Sequence, residues 1–182
     1  MKTTLIRSFV LLTGLGGGLF ASSSLAAPAP AFRTEVVFFE REKFTDVRDQ
    51  NFDSEKSRDA ILEHLKTYLQ ERAQAYVPEG AKLSVTIKDI DMAGDFEPWR
   101  LPAGHDVRIV REIYVPRIKL AFQLTDANGE VVKQGTRDLR DSNFMQSALG
   151  NFNEPYRYEK ALLDDWLRTE FPRNKKNQNP SS

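Results

Sequence analysis

Hydrophobic and polar positions follow two periods along the chain, and the change of period marks the predicted elements. Val36 to Phe39 is a run of strand-forming residues, typical of a strand covered on both faces. Apolar residues then recur every three or four positions, which predicts a long amphipathic helix capped by Ser54 and ended by Val77-Pro78-Glu79-Gly80. Its apolar stripe comprises Ile61, Leu62, Leu65, Tyr68, Leu69, Ala73 and Tyr76.

Strict alternation begins at Leu83 and continues to Ile87, after which the apolar positions shift by one residue. The shift predicts a β-bulge near Lys88-Asp89. A second alternating stretch is predicted from Val107 to Leu124, interrupted at Pro116. The Asn-Gly pair at Asn128-Gly129 predicts a hairpin turn and a return strand from Glu130 to about Leu139.

A second amphipathic helix follows a polar segment from Asp141 to Asn153, with Pro155 suited to its first turn. The apolar positions of this helix are Tyr158, Leu162, Leu163, Trp166, Leu167 and Phe171. The predicted order is therefore β-α-β-β-β-α. It favours an α+β two-layer sandwich, with a mainly antiparallel four-stranded sheet and both amphipathic helices on one face.

The first residues have the three parts of an export signal. Lys2 and Arg7 precede an apolar, glycine-containing stretch, and small residues at Ser24 and Ala26 suit cleavage. Because the chain has no cysteine, export fits a bacterial periplasm better than a disulfide-stapled extracellular module. The predicted organisation is a cleavable signal peptide at 1–26, a proline-rich leader at 27–31, one α+β domain at 32–172 and a disordered polar tail at 173–182.

Charge excludes some classes of partner. The 182 residues contain 26 Lys and Arg against 26 Asp and Glu, and loss of Lys2 and Arg7 with the signal leaves the exported part slightly acidic. General nucleic-acid binding needs a net basic face, so we expect no nucleic-acid partner. We also expect no integral membrane segment after signal cleavage, while the oligomeric state stays open.

No residue pattern carries a catalytic or cofactor signature. A calcium loop starting at Asp89 would need ligands where Ala93 and Arg100 stand, and His64 has no second histidine four residues on for a zinc site. Asp164 and Asp165 are adjacent on a helix and so diverge. We expect no catalytic residue, no metal and no cofactor, and the sequence favours a protein that is not an enzyme.

The most unusual segment runs from Gly94 to Arg100 and combines aromatic, acidic and basic side chains with Pro98. Trp and Arg are enriched at binding hot spots, and functional residues often lie on loops. The candidate binding residues are Phe96, Glu97, Trp99, Arg100, Asp106 and Arg108. The structural alternative packs the aromatic residues on the core and pairs the charged ones, with a polar lattice of Asp46, Arg48, Arg108 and Arg111.

Asp89 to Arg100 resembles the hallmark of DUF 3016, an uncharacterised family of exported Gram-negative proteins. Three other stretches resemble the same family, and the similarity spans about Val36 to Phe171: Thr45 to Asp49, Asp106 to Val110 with Tyr114 to Ile118, and Tyr158 to Lys160 with Leu163 to Trp166. Where the family reads Gly-Glu-Phe, this chain has Gly94-Asp95-Phe96. The resemblance implies export and a single domain, and it implies no mechanism.

These observations lead to a functional expectation without a named ligand. We expect a periplasmic, non-enzymatic binding or interaction domain of the cell envelope, with an envelope protein as its partner and the Phe96 to Arg100 loop as its contact. One alternative is a small-ligand module for sugar-like molecules that stack on Trp99. The other is a hydrolase with Glu97 or an aspartate as base.

Overall fold

The computed structural model describes residues 32–48, 54–97, 107–148 and 153–172. The predicted signal peptide, leader and tail lie outside these residues. The elements are β1 (Thr34–Phe38), a 3-10 helix (Arg41–Lys43), α1 (Glu55–Ala73), β2 (Lys82–Asp91), β3 (Asp95–Phe96), β4 (Arg108–Ile109), β5 (Arg117–Thr125), β6 (Val131–Arg140), α2 (Phe144–Ser147) and α3 (Arg157–Glu170).

Four strands form the main sheet in the order β1-β2-β5-β6. The β2–β5 and β5–β6 pairs are antiparallel, whereas β1 and β2 are parallel because the chain crosses back through α1 between them. The α+β class and the mainly antiparallel four-stranded sheet are confirmed. The two short strands β3 and β4 pair separately as a second, two-stranded sheet.

The core lies between one face of the main sheet and the two long helices. Trp166 of α3 and Phe171 contact Phe122 of β5 edge-on, with ring centroids 5.7 and 5.6 Å from that ring. The predicted bulge is confirmed, since the β2–β5 register shifts between Ile87 and Asp89. The shift lets Ile87 and Ile90 both face the core, where they are 1% and 0% exposed.

The ends of the helices differ in part from the prediction. Ser54 caps α1 as expected, with its Oγ accepting from the N–H of Ser57 at 3.1 Å, but α1 ends at Ala73, ahead of Pro78. Helix α3 begins at Arg157, so Pro155 precedes its first turn. The polar segment after β6 contains the short helix α2, which was not predicted. Its residue Phe144 is buried, with 2% of its surface exposed, and anchors the helix to the rest of the domain.

The predicted strand from Val107 to Val115 is wrong over most of its length. Only Arg108 and Ile109 are extended, and they pair with β3 instead of joining the main sheet. The backbone then turns, with the N–H of Tyr114 bonded to the carbonyl of Arg111 at 3.0 Å. Val107 and Ile113 are exposed at 42% and 73%, so their alternation does not report a buried strand face.

Candidate functional site

An arginine network occupies the end of the sheet where β2 finishes. Asp46 forms an isolated parallel bridge with Asp91, through hydrogen bonds from its N–H to the carbonyl of Ile90 and from the N–H of Met92 to its own carbonyl. This backbone contact turns the Asp46 carboxylate toward two guanidinium groups. Those groups belong to Arg48 and Arg108.

Arg108 is the centre of this network. Its Nη2 donates to Asp46 Oδ2 at 2.7 Å and its Nη1 donates to the Gly94 carbonyl at 2.8 Å. The second partner, Arg48, donates from Nε to Asp46 Oδ1 at 3.1 Å. Both guanidinium carbons lie over the ring of Phe96, at 4.5 Å for Arg48 and 4.7 Å for Arg108. With 7% of its side chain exposed, Arg108 fastens β4 to the end of β2.

Gly94 allows the backbone to pass this close to β4. Its φ of +83° lies in the left-handed region, which side chains disfavour. A Cβ at this position would lie 2.8 Å from the Ile109 carbonyl oxygen and 3.1 Å from Cγ of Arg108. The residue at 94 is therefore fixed as glycine by both conformation and space.

Glu97 anchors the turn from Arg111 to Tyr114. It is 3% exposed, accepts from the Tyr114 hydroxyl at 2.8 Å and lies 3.2 Å from Arg111 Nη2. The hydrogen bond to Glu97 raises the pKa of Tyr114. The carbonyl of Tyr114 also accepts from the N–H of Gly94 at 3.1 Å. These contacts hold the turn in place and leave Ile113 exposed at its tip.

Glu159 of α3 joins the helix layer to the same end of the sheet. Its Oε1 accepts from the N–H of Ala93 at 2.8 Å, and the residue is 2% exposed. Burial raises the pKa of Glu159. It lines a cavity of about 310 Å³ that also includes Arg48, Arg108 and Tyr158.

A larger cavity of about 520 Å³ shares Arg48 and Met92 with the first, and we name it the sheet-end cavity. Its lining comprises Thr45, Asp46, Arg48, Asp91, Met92, Gly94, Asp95, Ile113, Tyr114, Val115, Arg117 and Arg140. Asp91 is partly buried, and within the described parts of the chain its carboxylate forms no hydrogen bond or ion pair. Burial and the nearby carboxylates of Asp46 and Asp89 raise the pKa of Asp91.

The predicted site residues divide into two groups. Phe96, Glu97 and Arg108 lie together in the contacts described above, while Trp99, Arg100 and Asp106 lie outside the described residues. Of the predicted polar lattice, Asp46, Arg48 and Arg108 contact one another, and Arg111 binds Glu97 instead.

Three residues of this region were missed as site residues by the sequence reasoning. The alternating pattern places Ile113 in a strand. Asp91 is considered as a calcium ligand and, with Asp89, as one of a pair of carboxylates for acid-base work, while Glu159 enters only through the family resemblance. Asp91 could have been found from its place at the end of a strand, directly after the predicted bulge. No local pattern distinguishes Ile113 or Glu159.

Other acidic and histidine positions of the sequence have local partners. Asp164 pairs with Arg72 at 2.8 Å and Asp165 pairs with Arg168, so the two adjacent carboxylates diverge as predicted. Nε2 of the exposed His64 lies 2.7 Å from the Lys160 ammonium. In the described segments, no group of three or more His, Asp or Glu side chains is placed to hold a metal ion. Nor is any helix there long and apolar enough to cross a membrane.

Comparison with known proteins places the described domain in a family. The model of the family described as "Protein of unknown function (DUF3016)" matches residues 33–169. The four stretches that carried the resemblance meet at this end of the sheet, through the contacts of Asp46 with Arg108, Arg108 with Gly94, and Glu159 with Ala93.

Two further comparisons add little. No curated protein matches the chain. A crystal structure of a minor lipoprotein from Acinetobacter baumannii is 11% identical and covers 77% of this chain and 90% of that chain, with a TM-score of 0.26. At that TM-score the similarity supports no inference about fold or function.

Proposed function

Since the chain belongs to the DUF3016 family of proteins of unknown function, we propose its function from the site itself. We propose a non-enzymatic binding domain of the cell envelope that works in the periplasm. Its partner is an envelope protein. The docking face comprises the sheet-end cavity and the turn from Arg111 to Tyr114 beside it, and Trp99 and Arg100 stay predicted contact residues from the sequence.

The observation that carries this proposal is the presentation of Ile113. A single exposed aliphatic side chain is ordinary on a protein surface. Ile113 differs because it is 73% exposed on a turn fixed by Glu97 and Gly94, and because it lines a cavity. Because the backbone of the turn is already held in place, less conformational entropy is lost when a partner covers it, which favours binding.

The cellular location rests on the first 26 residues. Their basic start, apolar stretch and small residues before Ala27 favour export and cleavage. The absence of cysteine in all 182 residues fits a periplasmic protein that does not depend on disulfides. An envelope protein is therefore the class of partner that the exported domain would meet.

The test is affinity capture of the exported protein from a crosslinked native envelope fraction. The matched variant is Trp99→Ala/Arg100→Ala, compared with wild type in a thermal unfolding experiment. We expect the wild type to recover a partner that the variant loses while the variant keeps its melting temperature. Recovery of the same background by both proteins contradicts the proposal, and a large loss of stability without a partner assigns Trp99 to the core.

A second candidate is a hydrolase, and one observation favours it. Asp91 lines a cavity and burial raises its pKa, and a raised pKa in a concave site is a common property of catalytic carboxylates. Turnover of chromogenic ester or glycoside substrates, abolished by Asp91→Asn and kept by the surface control Asp165→Asn, would support it. No turnover by the wild type, or equal turnover by all three proteins, contradicts it.

A further inference from the structure

The ammonium group of Lys160 is enclosed at the contact between α1 and α3. Only 4% of its side chain is exposed, and three groups surround its Nζ. Glu154 accepts through Oε1, Nε2 of His64 lies 2.7 Å away, and the centre of the Tyr68 ring lies 4.9 Å away. A carboxylate, an imidazole nitrogen and an aromatic face therefore replace the water that this charge loses on burial.

The contact with Lys160 defines the charge state of His64. An ammonium group donates hydrogen bonds and has no lone pair, so Nε2 of His64 is the acceptor. A ring that accepts at Nε2 is neutral and carries its proton on Nδ1. A protonated ring would direct a second N–H at the ammonium, with two positively charged groups 2.7 Å apart. The observed contact is therefore compatible only with a neutral His64.

The groups around His64 do not stabilise its protonated form in this position. Glu154 attracts a charged His64, but its Oε1 is bound to Lys160, so two cations would share one carboxylate. The hydrogen bond from Lys160 holds the pKa of Glu154 below its ordinary value, so this carboxylate is ionised near neutral pH. On α1 itself, Glu63 is engaged by Lys66 at 3.2 Å. Because His64 is exposed, protonation favours a ring that leaves Lys160 and turns to water.

The same ring packs on the segment that leads into α3. His64 contacts the Tyr156 ring edge-on, with centroids 5.3 Å apart. Tyr156 has a φ of 56°, a left-handed conformation that a residue other than glycine keeps only when its surroundings hold it. Lys160 holds the segment from the other side, since its ammonium binds Glu154 and its N–H donates to the Tyr156 carbonyl at 3.0 Å. The contacts that maintain this strained segment are those that protonation of His64 disturbs.

We propose that His64 is a pH-sensitive latch whose protonation releases the segment from Glu154 to Tyr156 and opens the smaller cavity. Histidine is the side chain that changes charge between pH 5 and pH 8, so the latch is closed at neutral pH and open in mild acid. The released segment forms one wall of the cavity of about 310 Å³. Its movement exposes Arg108 and Glu159, which line the same cavity and are buried in the closed form.

NMR spectroscopy of the labelled exported protein tests the latch. The contact between the His64 and Tyr156 rings should give a nuclear Overhauser effect at pH 7.5 that is lost at pH 5.5. Over the same range, and after correction for intrinsic exchange rates, protection of the Lys160 amide against hydrogen exchange should fall about tenfold. Leu120 in the central strand β5 should keep its protection. Unchanged Lys160 protection overturns the proposal, and so does an equal loss at Leu120, which would report global unfolding.

Two variants separate His64 from the other groups that titrate in acid. His64→Gln keeps a neutral acceptor for Lys160 and should show the same Lys160 protection at both pH values. His105→Gln removes the other histidine of the chain and should behave as the wild type does. Burial raises the pKa of Glu159, which lines the same cavity. A loss of protection that persists in His64→Gln would assign the opening to that carboxylate and refute the latch.

Discussion

Arg108 and Asp46, which are 62 positions apart in the sequence, form an ion pair of 2.7 Å at the centre of the candidate site. Their side chains are only 7% and 11% exposed. A partly buried carboxylate tolerates this position because two guanidinium groups and the bridge to β2 surround it. The pair therefore joins the segment after β1 to β4, and the sheet-end cavity depends on that junction.

Arg108→Ala should destabilise the protein strongly. The substitution leaves Asp46 with one guanidinium partner fewer and removes the donor to the Gly94 carbonyl, and breaking such a buried pair typically costs about 3–5 kcal/mol. Urea unfolding measures the loss. The control is Arg117→Ala, whose partner Asp138 is exposed, so that its loss should destabilise the protein much less. Equal losses of unfolding free energy in the two variants would show that the network stabilises the fold no more than an exposed ion pair does.

Gly94→Ala separates steric conflict from backbone strain. Gly129, in the hairpin turn, has nearly the same φ of +84° but nothing within 4 Å of an added Cβ, so Gly129→Ala should cost only about 1–2 kcal/mol of strain. Gly94→Ala adds a contact of 2.8 Å with backbone and should cost at least about 1 kcal/mol more. Chemical denaturation of both variants checks the difference. A loss no larger at 94 than at 129 would refute the close approach to Ile109.

Glu159→Gln should change how stability depends on pH. Burial raises the pKa of Glu159 above its ordinary value of 4.5, so the folded chain holds this proton more tightly than the unfolded chain does. Wild-type stability therefore falls as pH rises through the window above 4.5, and the loss is complete beyond the folded pKa. The variant lacks this contribution. Its stability relative to wild type should improve between pH 5 and pH 8, and parallel curves would contradict the account.

Asp91→Asn should stabilise the protein slightly at pH 7, by less than about 1 kcal/mol. The pKa of Asp91 is raised in the folded state, so its ionised form opposes folding above the ordinary value of 3.8, and the gain should vanish in acid. Asp89→Asn is the matched control and should destabilise, because Lys119 loses its anionic partner while the Thr45 N–H keeps only a neutral acceptor. Thermal unfolding at pH 7 and pH 3 measures both. Destabilisation by Asp91→Asn at pH 7 would mean that this carboxylate has a partner in the fold.

Much of the fold could be predicted because local patterns encode it. The period of α1, its Ser54 cap and the one-residue shift at Lys88-Asp89 are consequences of burial on one face, which the sequence records directly. Helix α2 was not predicted because only one of its side chains, Phe144, is buried, so it has no apolar periodicity. The strand predicted from Val107 to Val115 is wrong because apolar residues such as Val107 and Ile113 can also alternate on an exposed segment.

The candidate site could be predicted only in part. Phe96, Glu97 and Arg108 were chosen for their residue types, and they do lie together. Which acidic group pairs with which arginine depends on contacts between distant segments, such as Asp46 with Arg108. The lining of the cavity at this end of the sheet is assembled by those contacts, so no local pattern predicts it.

Site-directed crosslinking in intact cells tests the binding surface most directly. The chain contains no cysteine, so Ile113→Cys and Val131→Cys each create one thiol. Val131 is 49% exposed and pairs with Thr125 at the hairpin end of β6, whereas the cavity residue Arg140 pairs with Arg117 at the opposite end. We predict a partner adduct from Ile113→Cys that is absent from Val131→Cys. The same adducts from both positions, or none from Ile113→Cys, would contradict a docking face at the sheet-end cavity.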